Sequence, residues 1–144
     1  MISIDVNIWA VLVAAMLHMI VGFIWYSPAF FGKAWILLMG WNVDTPDGKA
    51  EWEKRQKDMS KTWILTVLGA LILSYALAYF IGMFFVETIP GALQIGFVAW
   101  LGFIATTSFI NTLFTGKSKK LWAIDNGYPL FSMLLMSIIF VLWQ

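Results

Sequence analysis

Three stretches of this chain run without a formal charge for about the thickness of a bilayer core or more. Ile8–Tyr26 covers 19 residues with His18 taken as neutral, Thr62–Val86 covers 25 and Ala92–Thr115 covers 24. A hydrocarbon core of about 30 Å is crossed by about 20 helical residues. In lipid a backbone must satisfy its own hydrogen bonds, and a helix does so within one segment. Each run is therefore expected to span a membrane. A fourth run, Pro129–Trp143, has 15 residues, roughly 22 Å of helix at about 1.5 Å per residue, which is short. A helix begun upstream and kinked at Pro129 reaches across, but it carries Asp125 and Asn126 inward.

Composition agrees. The chain is 61% hydrophobic and 12% charged, against roughly 45–50% and about 25% for soluble domains. Nine Trp and twelve Phe are more bulk than a soluble core of 144 residues hides. The expectation is an all-α integral membrane protein: one domain over 1–144, with spans at about 8–26, 62–86, 92–115 and 124–143. The first run lacks the basic flank of a signal peptide and is longer than its usual apolar segment, so it is read as a retained span. With no Cys, disulfides and thiolate chemistry are excluded. A net charge of +1 without a basic stripe gives no nucleic-acid partner. The expected partner is the bilayer.

Lys and Arg orient the spans. Lys33, Lys49, Lys54, Arg55, Lys57 and Lys61 lie between spans one and two, and Lys117, Lys119 and Lys120 between three and four. All nine fall on one side, which the positive-inside rule assigns to the cytoplasm, leaving both termini outside. Trp9 and Trp143 then mark the outer boundary, and Trp25, Tyr26, Trp63 and Trp122 the inner one. Trp100 falls deep in span three; it is read as core packing, with a ligand-lining role as the alternative.

Between spans one and two, Ser27-Pro28 reads as a helix start and Gly40 as a stop. A helix over about 28–39 is too short to cross and is expected to lie in the interface, re-entrant burial being the alternative. The charged loop over about 41–61 repeats the start signal at Thr45-Pro46-Asp47, with i,i+4 pairs Glu51–Arg55 and Glu53–Lys57.

Small residues recur every fourth position on two spans. Ala10, Ala14, His18 and Gly22 form one row, and Ala70, Ser74, Ala78 and Gly82 the other. Such rows let helices approach closely, within the bundle or in a homo-oligomer. His18 is the sole His and sits near mid-span. It is read either as a proton-relay or ligand group, or as a neutral imidazole bonded to a neighbouring helix. Tyr26, Ser27, Asn111, Thr112, Asp125, Asn126 and Tyr128 fall at a similar depth near the basic loops. Together they read as a small polar pocket, with helix capping and interface anchoring as the alternative. No metal set, cofactor motif, nucleophile motif or carboxylate pair is present.

The segments NIWAVLVAA at 7–15, GFIWYSPAFFGKAW at 22–35 and NGYPLFSMLLMSIIFVLW at 126–143 resemble the small bacterial membrane proteins of the domain-of-unknown-function 1761 family. The resemblance spans nearly the whole chain. It implies a four-span bundle in a bacterial cytoplasmic membrane and assigns no residue a catalytic role. The functional expectation is a non-enzymatic membrane component that associates with itself or with another membrane protein. The alternatives are a small-solute or proton carrier using His18 or the Asp125/Asn126 region, and an enzyme acting on a lipid-like substrate.

Overall fold

The computed structural model describes residues 5–57 and 59–143; the Lys57 side chain, expected opposite Glu53, lies outside the described residues. Among the described residues seven α-helices follow in order: α1 (Ile8–Trp25), α2 (Gly32–Leu38), α3 (Pro46–Lys57), α4 (Ser60–Met83), α5 (Ile89–Ala99), α6 (Thr106–Thr115) and α7 (Lys119–Leu142). A π-helical segment, Trp100–Ala105, joins α5 to α6. Four helical stretches are long and apolar enough to cross a membrane: Ile8–Trp25, Lys61–Met83, Ile89–Thr115 and Lys119–Leu142.

Local chemistry sets the ends. Asn7 caps α1, its side chain accepting from Trp9 N at 3.1 Å and Ala10 N at 3.3 Å. Thr88 caps α5 by accepting from Gly91 N at 3.3 Å, with Pro90 in the first turn where its missing N–H costs nothing. Thr45 Oγ1 accepts from Gly48 N at 3.2 Å at the start of α3, and Glu51 pairs with Arg55 at 3.4 Å. The last helix begins at Ser118, whose Oγ accepts from Lys120 N at 3.2 Å, and it continues through Pro129 for 24 residues. The short apolar run is thus the second part of a full-length helix.

The stretch after α1 differs from the expected helix at about 28–39. Ser27-Pro28 does not start a helix: the residue before α2 is Phe31, and it makes no side-chain cap. The chain instead folds back on the end of α1. Ser27 O accepts from Phe30 N at 3.1 Å and Gly32 N at 3.0 Å, and Trp25 O accepts from Phe31 N at 3.0 Å. A Cβ at Gly32 would overlap the Tyr26 and Ser27 carbonyls, so the turn requires glycine. At the other end Gly40 has φ +79°, a left-handed stop that ordinary side chains resist.

The bundle is arranged around α7, which packs on α1, α4, α5 and the π segment, while α1 also packs along α4. Both rows of small residues are used inside the chain. Ala10, Ala14, Ala70 and Ser74 are buried, and Ser74 Oγ donates to Val11 O at 2.8 Å. Ala78 is half-buried against the core cluster, and Gly82 is half-buried. Gly22 admits the Tyr128 ring, which would lie 3.1 Å from an added Cβ. Between α5 and α7, Gly96 lies so close to Ser137 that an added Cβ would overlap its hydroxyl.

The core is segregated along the bundle. Ala10, Val11, Ala14, Leu77, Ile81, Ala92, Met133, Met136 and Phe140 form its buried centre. These residues come from the start of α1 and α5 and the later parts of α4 and α7, so they occupy the end remote from the two lysine-bearing connections. Of the buried polar side chains, Thr112 and Asn126 lie towards the lysine-rich end and His18 and Ser132 nearer mid-bundle, while Ser74 and Ser137 bond Val11 O and Met133 O within the apolar end.

Candidate functional site

Asp125 is presented by the second turn of α7 and is half-buried. Its Oδ1 accepts two hydrogen bonds, from Tyr26 Oη at 3.1 Å and from Trp35 Nε1 at 2.8 Å. Tyr26 is placed by the turn that ends α1, and Trp35 by the first turn of α2. The fold-back at Gly32 is therefore what brings an indole to the carboxylate. The Tyr26 ring meets Trp35 and Tyr128 edge-on, at centroid distances of 5.5 and 5.8 Å. Trp25 closes one side: its Nε1 donates to Ile124 O at 3.0 Å, over the space left by Gly127.

The polar run continues towards mid-bundle. The rings of Tyr128 and His18 lie 4.7 Å apart, and Tyr128 Oη donates to His18 O at 3.1 Å. His18 Nδ1 is 2.8 Å from Ser132 Oγ, which also lies 3.2 Å from Pro129 O. The imidazole is thus bonded to α7. Beyond Ser132 the apolar core begins.

Asn126, next in sequence to Asp125, belongs to a separate cluster on the other side of α7. It is buried; its Oδ1 accepts from Ser108 Oγ at 2.6 Å and its Nδ2 donates to Trp122 O at 2.9 Å. Trp122 Nε1 donates to Ser108 Oγ at 3.0 Å, and Trp100 Nε1 to Asn126 O at 2.9 Å. Trp100 accordingly packs against the core and bonds α7. The π segment that carries it is held by hydroxyls: Thr106 Oγ1 donates to Leu101 O at 2.7 Å and Thr107 Oγ1 to Phe103 O at 2.6 Å. Thr106 N–H also donates to Leu101 O, the i→i−5 bond of a π turn, so the hydroxyl adds a second donor to that carbonyl.

The sequence-derived group therefore divides. Tyr26, Asp125 and Tyr128 come together, and His18 joins them through Tyr128. Asn126 faces Ser108 and Trp122. Asn111 is exposed and stands apart from both clusters, whereas Thr112 is buried and donates to Ser108 O at 2.9 Å. Ser27 contributes its backbone carbonyl to the turn, not a hydroxyl contact to Asp125. Trp35, Ser108 and Ser132 were not among the sequence candidates, yet each makes a direct side-chain bond in these clusters. Among the described residues no buried side-chain nitrogen or oxygen lacks a partner, and no group of three His, Asp or Glu is placed to hold a metal.

A second feature lies on the outside of the bundle. A groove of about 280 Å³ runs between α4 and the α5–π segment, lined by Leu73, Ala76, Leu77 and Phe80 on one side and Ala99, Phe103 and Ile104 on the other. Met133 of α7 forms its floor, and the Phe80 and Phe103 rings stack across it at 6.4 Å.

Four long apolar helices around a small polar interior fit a multi-pass integral membrane protein. The chain belongs to the DUF1761 family, described as proteins of unknown function, whose sequence pattern matches residues 9–141. No curated protein and no solved structure matches it.

Proposed function

We propose that this protein is a non-enzymatic component of the bacterial cytoplasmic membrane, with both termini outside, that works by associating with a second copy of itself or with another membrane protein. The observation that carries this reading is the α4–π groove. Its lining is apolar, and Ala76 and Ala99 make it deep enough for a neighbouring helix to approach closely. The interior supports the same reading, because the apolar core closes the bundle beyond Ser132. The absence of Cys makes a direct test simple. Ala76→Cys in native membranes should cross-link to a dimer with a short bifunctional thiol reagent, while a cysteine at exposed Lys49 should not. Equal yields from both positions would count against the groove as the contact.

A second reading rests on the continuity of Asp125, Tyr26, Tyr128 and His18 from the lysine-rich end to mid-bundle. A proton or small-solute carrier would use that run and would have to open the apolar core during its cycle. Proteoliposomes should then show a flux that His18→Ala or Asp125→Asn abolishes. Unaltered flux in both variants would remove this reading.

A further inference from the structure

Asp125 is an acidic side chain inside a membrane-crossing helix, and its charge is not matched by the protein. Its donors, Tyr26 and Trp35, are neutral and both serve Oδ1. Oδ2 has no protein partner among the described residues, where the one ion pair is Glu51–Arg55 on α3. Lys33, on the same short helix as Trp35, is exposed, as are Lys117, Lys119 and Lys120 before or within the first turn of α7. A carboxylate held at the edge of a low-dielectric interior needs a compensating cation, and intramembrane acids usually find one.

The surroundings select the kind of cation. An oxygen with lone pairs to fill calls for a group with N–H donors, and a primary ammonium carries three. The exposed lysines at the same end of the bundle suit an anionic phosphate linked to that ammonium. We propose that Asp125, with Tyr26 and Trp35, is a binding site for a primary ammonium group, presented by a phospholipid headgroup or by a free amine. Tyr26 and Trp35 hold Oδ1 and turn Oδ2 towards the ligand. This site is independent of the groove and of any association through it.

The test uses the full chain in detergent micelles, with binding read by tryptophan fluorescence and by native mass spectrometry. The probes are dioleoylphosphatidylethanolamine, dioleoylphosphatidylcholine and free ethanolamine. The ethanolamine lipid should bind at least about tenfold more tightly than the choline lipid, a preference lost in Asp125→Asn and retained in Asp125→Glu. Displacement of the lipid by millimolar ethanolamine assigns the site to a free amine; lipid that stays bound assigns it to the headgroup. Equal binding of the two lipids by the wild-type chain overturns the proposal, as does an unchanged preference in Asp125→Asn. Where Asp125→Asn fails to fold, the wild-type preference and its weakening in Trp35→Phe decide the matter.

Discussion

Trp35 and Asp125 stand 90 positions apart and are joined by a 2.8 Å hydrogen bond from the indole N–H to the carboxylate. The bond ties the short helix after the first span to the start of the last one. It forms because the chain turns back at Gly32 instead of running on from Ser27-Pro28. The link extends outward: Trp35 meets Trp41 at 5.5 Å, Trp41 meets Trp52 at 5.0 Å, and Arg55 lies 5.1 Å over the Trp41 ring. The charged helix α3 is thereby connected to Asp125 through a series of aromatic contacts.

The Trp35–Asp125 bond should be measurable as a coupling energy. A double-mutant cycle of Trp35→Phe and Asp125→Asn, followed by reversible unfolding in mixed micelles, is expected to give roughly 1–2 kcal/mol. Additive single effects would show that the bond does not contribute.

Ser132 is the partner of His18 Nδ1 at 2.8 Å. Ser132→Ala is expected to destabilise the bundle by about 0.6–1.7 kcal/mol, the scale of interhelical hydrogen bonds in membranes. Steric-trap unfolding in bicelles reads this directly. His18→Ala in the Ser132→Ala background should lack that part of its cost.

Gly96 and Ser137 define how closely α5 approaches α7. Gly96→Ala is expected to cost roughly 1–3 kcal/mol through overpacking. Adding Ser137→Ala should recover part of the loss, because the clashing atom is the Ser137 hydroxyl. Thermal unfolding of the three variants tests the contact, and no recovery in the double variant would contradict it.

The proposed orientation, with both termini outside, gives a labelling pattern. A single cysteine replacing Glu87 should react with a membrane-impermeant maleimide in intact spheroplasts, and one replacing Lys49 should react only after lysis. Both positions are exposed. The reverse pattern would invert the topology.

The helices were legible because their signals are local. Uncharged runs, Thr45-Pro46 and Gly40 each act within a few residues. The similar depth of Tyr26, Asp125 and Tyr128 was legible from the order of the spans, but their contacts were not. Which way a residue faces around α7 was not: Asp125 and Asn126 are adjacent, yet helical geometry sends them to different clusters. Asn111 was misplaced for the same reason, because Ser108 and Thr112 make the i,i+4 row that turns towards α7. The Ser27-Pro28 signal misled because the fold-back at Gly32 overrode a local preference. The π segment left no composition signal beyond Thr106, Thr107 and Ser108, whose hydroxyls are equally at home in an α-helix.

The central claim, in its form of self-association through the α4–π groove, is tested most directly by the oligomeric state of the wild-type chain and of Ala99→Leu in nanodiscs of native lipid, counted by single-molecule photobleaching. The account predicts two photobleaching steps for the wild-type chain and one for Ala99→Leu, with helical content unchanged. A single step for both would contradict it.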